Sequence, residues 1–348
     1  MNHESTRQQR PATKRAPAER MGELFESRRI VALMGAVVRL RLPDNLSTPR
    51  TVAELAALTT SHEDSLRRLL NAGVVSGLFE EVGDDRYGLT DLSRLLAADA
   101  AGSMRALALM DSAEFLVRSW ANLDASVRTG RPATHEVYGQ SVWDYFAQNP
   151  ADAALFNGAM TFISGSQAPA LATCYPFSKF THVVDVGGGC GALLSEILRA
   201  HHALKGTLFD LPSVIEQARA SGFFAELGER CTLSGGSFFE AVPTADAYIL
   251  RHILHDWDDE ICSRILSVCR SAMTAAASLL IIENVLAARA SDRPTGAALL
   301  DIDMLVLAGG RERTEDDWRR LLASNGLALR SIHATPVGVS ILECEVSA

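Results

Sequence analysis

The 348-residue chain is short of several things, and each shortage narrows what it can be. It has no run of about 18 apolar residues, so no membrane-spanning helix is expected. Its first residues, Met1 to Arg20, hold no hydrophobic segment of the kind found in a secretory signal. They carry Arg7, Arg10, Lys14, Arg15 and Arg20 among Gln, Pro and Ala. With so few apolar side chains, 1–20 reads as a disordered, solvated tail. Cysteine pairs are missing as well. Cys174, Cys190, Cys231, Cys262, Cys269 and Cys344 are scattered with no C-x-x-C spacing. That argues against a zinc site and suits reduced thiols in a cytoplasmic protein. Positive charge is also lacking: the net charge of −9 argues against a general nucleic-acid binder.

What is present is apolar residues, at 47%, enough for a sizeable core in two domains or one large one. From 21 to 113 the pattern is helical with one short β unit. Thr51-Val52-Ala53-Glu54 is a capping box that opens a helix. Ser61 or Asp64 is placed to cap the next helix, which carries Leu66, Leu69, Leu70 and Val74 at helical spacing. Segments 77–82 and 86–89, joined by Gly83-Asp84-Asp85, read as a hairpin. Two helices followed by a hairpin make a winged-helix pattern. The opening helix, with Ile30, Val31, Leu33, Met34, Val37 and Val38, is too apolar for a solvated helix and is expected to pack on a second subunit.

Residues 114–170 continue as helices rich in aromatics, and Phe156 and Met160, one turn apart, share a face that suits either core or the wall of a flat pocket. From 171 to 348 strands and helices alternate. Strands are expected near 182–187, 205–210, 231–236, 245–251, 278–284, 328–335 and 339–346. The fold class is therefore α/β: a mainly parallel sheet with helices on both faces. The last two strands are too close for a helical crossover and should form an antiparallel hairpin.

Polar residues collect at the carboxyl ends of these strands, where open α/β sheets place their ligands. Val183-Val184-Asp185-Val186-Gly187-Gly188-Gly189-Cys190-Gly191 is an apolar strand breaking into a glycine turn before a helix near Ala192. Such glycines suit any tight strand-to-helix turn, and equally a backbone that approaches a ligand. Asp210 ends the next strand, about 20 residues on, where a carboxylate can take ribose hydroxyls. Together these indicate a nucleoside cofactor. Arg251 and His255 follow the fourth strand, Glu283 ends the fifth, and Glu312 follows a helical segment. A histidine there could merely satisfy a backbone group. As a general base, with an ordinary pKa of about 6.5, it would be neutral at physiological pH and able to take a phenolic proton. Glu283 or Glu312 could fix its tautomer.

Four motifs then carry a resemblance: Val184-Asp185-Val186-Gly187-Gly188-Gly189, Phe209-Asp210-Leu211-Pro212, Leu254-His255-Asp256-Trp257-Asp258-Asp259-Glu260 and Gly309-Gly310-Arg311-Glu312-Arg313-Thr314. From about Met21 onward the chain resembles the S-adenosylmethionine-dependent O-methyltransferases of the plant caffeate type and their bacterial natural-product relatives. The resemblance implies a Rossmann-like methyltransferase domain over 171–348 and a winged-helix domain over 21–113 that makes a homodimer rather than binding DNA. Between them it implies a helical linker over 114–170 that contributes to the acceptor pocket. It implies that Gly187 and Gly189, backed by Asp185, face the methionine part of the cofactor. Asp210 would bind ribose, Leu211 would pack on the adenine, Ser237 and Phe238 would line its edge, and Arg251 would contact the cofactor. His255 would be the base, bracketed by Glu283 and Glu312. Phe156, Met160 and Met304 would wall a pocket for a small aromatic phenol, with Asp303 as a polar group that reads the substrate or bonds locally. No metal, nucleic acid or membrane is implied. Ser237 departs from the family, which usually has aspartate there to accept from the adenine amino group. A nicotinamide oxidoreductase also explains the glycines and Asp210, though not Glu312. A winged-helix DNA regulator would have to bind phosphate through Arg67 and Arg68 amid Glu63, Asp64, Glu80, Glu81, Asp84 and Asp85.

Overall fold

The computed structural model describes residues 16–83 and 85–347. The basic residues before 16, and Asp84 in the expected hairpin turn, lie outside the described residues. The chain forms two compact units that divide after Ser112. No helix among the described residues is long and apolar enough to cross a membrane.

In the first unit a helix runs from Pro17 to Arg39. It starts inside the stretch expected to be disordered. The reason is local: Pro17 presets the helical φ at the first position, and the Glu19 side chain accepts from the Ala16 N–H at 3.2 Å. The capping box at Thr51 and Glu54 forms and opens the helix Val52–Thr59. The next helix, Glu63–Val75, is capped by His62, neither by Ser61 nor by Asp64: Nδ1 of His62 accepts from the Ser65 N–H at 3.4 Å. Strands β1 (Arg50–Thr51), β2 (Phe79–Glu81) and β3 (Arg86–Leu89) make an antiparallel sheet in the order β1-β3-β2. Val37 and Val38, read from sequence as subunit-facing, are fully buried in this unit's own core with Leu55, Leu70, Phe79 and Tyr87. The apolar side chains left exposed on that helix are Met21, Leu24 and Phe25, nearer its start.

The second unit is built on a seven-stranded sheet. Its strands are β4 (His182–Val186), β5 (Lys205–Asp210), β6 (Cys231–Gly235), β7 (Ala247–Arg251) and β8 (Ser278–Glu283), joined by β11 (Leu327–Ala334) and β12 (Ser340–Val346). Two short strands, β9 (Val285–Leu286) and β10 (Arg313–Thr314), pair in parallel beside it. The order is β11-β12-β8-β7-β4-β5-β6, with β4 to β8 parallel and β11 and β12 an antiparallel hairpin against β8. From β4 the chain moves out to β5 and β6, then returns to the other flank with β7 and β8. That reversal leaves a crevice at the carboxyl end of β4. Both faces are covered, which is why the strands read as unbroken apolar runs. Val183, Leu208, Ile249 and Ile282 pack under Leu194, Ile197 and Leu171 on one face. Val184, Phe209, Leu250 and Ile281 pack under Ile265, Leu266 and Trp318 on the other. Successive residues alternate between these cores, as the pleat requires.

Candidate active site

The glycine turn leaves β4 at Gly187, whose φ of 72° lies in the left-handed region. A β-carbon there would also stand 2.5 Å from Cδ1 of Ile253, so any other residue at 187 would be strained. The Gly189 N–H donates to Oδ2 of Asp210 at 2.9 Å, and the Leu211 N–H donates to Oδ1 at 2.7 Å. The carboxylate at the end of β5 thus holds the turn that follows β4. Asp185 is buried, and its Oδ2 has no hydrogen-bond partner. Burial pushes its pKa up to about 7, against the pull of Arg251. Leu211 is 52% exposed beside this turn. Phe238 lies near Gly187 and packs on Phe239. The Ser237 hydroxyl accepts from the Phe239 N–H at 3.2 Å. Arg251 is engaged internally: its guanidinium donates to Ser164 at 2.5 Å and Gln167 at 2.6 Å, both on the long helix Pro150–Cys174.

His255 sits in a short turn after β7, capped onward by Asp258 into the helix Asp259–Ala272. It is buried, and so are Glu283 and Glu312. Its Nδ1 lies 2.8 Å from Oε1 of Glu312 and 3.4 Å from Oε2 of Glu283. Oε1 of Glu283 accepts from the backbone N–H of Ile253 and His255. Asp256 is a member of the site as well: its Oδ1 is 3.6 Å from Nε2 of His255. Burial works against a charged imidazole here, but Glu283, Asp256 and Glu312 outweigh it and push His255 up to about 10. The expectation of a neutral histidine at physiological pH is therefore corrected: three carboxylates in a site shielded from water hold the proton. Burial raises Asp256 to about 7, and Glu283, despite its burial, is held below the usual carboxylate range by His255 and His252. His252, His255 and Glu283 present ligand atoms within 4.8 Å of one another. An imidazolium bonded to Glu312 has no lone pair to give a metal at Nδ1.

The turn is gripped from behind by the segment after Gly309. A β-carbon at Gly310 would fall 1.9 Å from the His255 carbonyl oxygen, and the Arg311 N–H donates to that oxygen at 2.8 Å. Arg313, fully buried, donates to the carbonyls of Leu254 (2.9 Å) and Trp257 (3.0 Å) and to Asp259 (2.7 Å). Its signal in the sequence is its place beside Glu312. Trp257 packs on Trp143 (6.0 Å) and Trp143 on Phe156 (6.1 Å), so an aromatic run leads from the histidine turn to the long helix. Met160 is half-buried on that helix and Met304 is buried on the helix Thr295–Leu307. Asp303 accepts from the Trp120 indole N–H at 2.7 Å. The structure thus joins His255 to Glu283 and Glu312, Gly189 to Asp210, and Gly187 to Phe238.

A family model described as the O-methyltransferase domain matches residues 120–328, well over half of the chain, and one for the O-methyltransferase dimerisation domain matches 23–99. The chain belongs to the O-methyltransferase family. It is 36% identical over 337 residues to a mitomycin biosynthesis 6-O-methyltransferase of Streptomyces lavendulae, covering 95% of each chain. It is 40% identical to the phenazine O-methyltransferase PhzM of Lysobacter antibioticus, covering 85% of this chain and 86% of that one. A solved O-methyltransferase from neocarzinostatin biosynthesis, in complex with S-adenosylmethionine and 2-hydroxy-5-methyl naphthoic acid, superposes with a TM-score of 0.78 at 35% identity, covering 91% of this chain and 96% of that one. The methyl donor of this enzyme is S-adenosylmethionine, and nothing in these likenesses favours a nicotinamide enzyme or a DNA-binding regulator.

Proposed function

We propose that this methyltransferase acts on a phenolic hydroxyl of an aromatic secondary metabolite of phenazine or aromatic-polyketide type. The observation that carries the reading is the buried His255, bonded to Glu312 at Nδ1, beside the aromatic run through Trp257, Trp143 and Phe156. An aromatic run beside a buried histidine suits a planar aromatic acceptor. The phenazine and naphthoic acid named for two relatives are planar aromatics.

The residues at the β4 and β5 ends fit the cofactor. Asp185 offers a buried carboxylate oxygen with no partner, which suits a cationic ligand, and Leu211 leaves an apolar surface for a base. We assign Gly187 and Gly189 to the methionine moiety, Asp210 to the ribose hydroxyls, and Leu211, Ser237 and Phe238 to the adenine. Arg251 backs Asp185 and ties the long helix to the sheet edge. When bound, the cofactor supplies a methyl group already activated by its sulfonium. The protein's part is to orient the acceptor oxygen and to receive its proton. Glu312 holds Nδ1 of His255, so Nε2 is the nitrogen that takes that proton. A phenol has an ordinary pKa of about 10. His255 is raised to about the same value, so the two exchange a proton at little cost. Glu283 and Glu312 stabilise the imidazolium that results. Phe156, Met160 and Met304 wall the acceptor, and Asp303 steadies Trp120.

The dimerisation-domain match and the exposed Met21, Leu24 and Phe25 support a homodimer. A cytoplasmic location is in keeping with six unpaired cysteines. The test is to incubate the protein with methyl-labelled S-adenosylmethionine and a panel of hydroxyphenazines, hydroxynaphthoates and hydroxybenzoates. One labelled methyl on a phenolic oxygen is expected. Label found only on nitrogen or carbon would overturn the acceptor assignment. Light scattering should return twice the protomer mass.

A further inference from the structure

His252 stands between β7 and the His255 turn, and methyl transfer as described makes no use of it. Its φ of 52° is left-handed, a conformation uncommon for a bulky residue and one that gathers at functional sites. Its ring lies 4.9 Å from that of His255, tilted by 32°. Its Nδ1 is buried with no hydrogen-bond partner, and so is Oε2 of Glu283, yet these two atoms are only 3.4 Å apart. The same Oε2 lies 3.4 Å from Nδ1 of His255. One carboxylate oxygen therefore faces two imidazole nitrogens at equal distance, with a hydrogen bond formed to neither.

We propose that His252 is a positioning residue for His255, acting through the Glu283 oxygen that the two imidazoles share. Oε1 of Glu283 is pinned by the backbone N–H groups of Ile253 and His255, so the carboxylate can adjust only in which ring its Oε2 serves. When Nδ1–H of His252 donates to Oε2, that oxygen is drawn from His255. His255 then keeps Glu312 as its close partner at Nδ1 and releases its proton more readily. When His252 turns away, two carboxylates hold that proton. Burial disfavours a charge on His252, so it acts as a neutral donor rather than as a second cation. The charged groups around the pair are Glu283 on β8, Glu312 in the segment before β10, Arg251 at the end of β7 and Asp256 on the connection that carries both rings.

The consequence for turnover rests on the methyl-transfer reading, but the coupling itself can be read without any acceptor. Full-length protein labelled with ¹⁵N-histidine is titrated by NMR, alone and with S-adenosylhomocysteine. The wild type is expected to carry the His252 proton on Nδ1. His252→Leu should raise the midpoint of His255 by roughly half a pH unit or more, since one carboxylate oxygen returns to it undivided. His252→Asn, which keeps a donor near the same place, should stay close to wild type. A His252 proton found on Nε2 alone, or a His255 midpoint that the leucine variant leaves unmoved, would overturn the proposal. The tautomer is read on the wild type, so the test survives a leucine variant that fails to fold. A protein that methylates no phenol in the panel leaves this result untouched.

Discussion

Two halves of one sheet edge solve their tasks by different means. At the β4 and β5 ends the cofactor half is organised by backbone: the N–H groups of Gly189 and Leu211 converge on the Asp210 carboxylate, and Leu211 stays half in solvent. At the β7 and β8 ends the base half is organised by buried side-chain charge: Glu283, Glu312 and Arg313 are each 2% exposed or less. The first arrangement is local and adaptable, which suits the nucleoside site proposed for it. The second is dry, so its charges act at full strength on one imidazole. Binding and proton transfer should therefore separate on mutation, one half carrying affinity and the other rate.

The sharpest way to break that division is His255→Ala. Turnover should fall by about 10² to 10⁴-fold while cofactor affinity, measured by calorimetry, stays near wild type. A large loss of affinity would show that the halves are not separate. Asp210→Ala is the reciprocal probe. It removes a charged acceptor from two backbone N–H groups and, in the cofactor site proposed above, from the ribose. A loss of one to two charge-assisted bonds, at about 1.5 kcal/mol each, should weaken S-adenosylhomocysteine binding by roughly 10 to 100-fold. At saturating cofactor, turnover should fall much less.

The same contrast explains what the sequence disclosed. The sheet was legible strand by strand because buried strands write themselves as apolar runs, and the glycine turn was legible because its constraint is local. His255, Glu283 and Glu312 could be placed at the right edge from strand ends alone, but their contact could not, since they come from three segments brought together only by the sheet order. The charge of His255 was misjudged for the same reason: its pKa follows from Asp256 and both glutamates gathering around one ring, which no single segment reveals. The roles of Arg313 and His252 leave no pattern in the sequence, because their partners are two backbone carbonyls with Asp259 and a shared carboxylate oxygen. The short strands β9 and β10 are too brief to leave a pattern. At the chain's start, a capped helix beginning with Pro17 outweighed a composition that read as disorder.

Glu312→Gln sharpens the account of the base half. It keeps an acceptor at Nδ1 but removes a charge that helps hold His255 up at about 10. As the proposed base, His255 acts in its neutral form, so kcat/KM should rise with pH, with its limb above the ordinary histidine range in the wild type. In the variant that limb should move to lower pH, and the plateau should fall by about 10-fold because the imidazolium loses one stabilising carboxylate. A limb that moves upward would mean that Glu312 does not stabilise the protonated ring.

The smallest effect tests whether the cofactor half can be given side-chain charge of its own. Ser237 stands where the resemblance to the family implies aspartate, and its hydroxyl already accepts the Phe239 N–H at 3.2 Å. An aspartate at 237 can keep that local bond with one oxygen, as Asx turns do, and leave the other for the adenine amino group. A charged acceptor is worth more than a neutral one by about 1 kcal/mol, so Ser237→Asp should tighten S-adenosylhomocysteine binding by roughly 5-fold. Turnover at saturating cofactor should not change, because position 237 belongs to the proposed nucleoside site and not to the proposed base. Tighter binding at unchanged turnover would show the two halves to be adjustable one at a time. Unchanged or weaker binding would mean that the serine hydroxyl, tied to the Phe239 N–H, sets the loop and does not read the adenine.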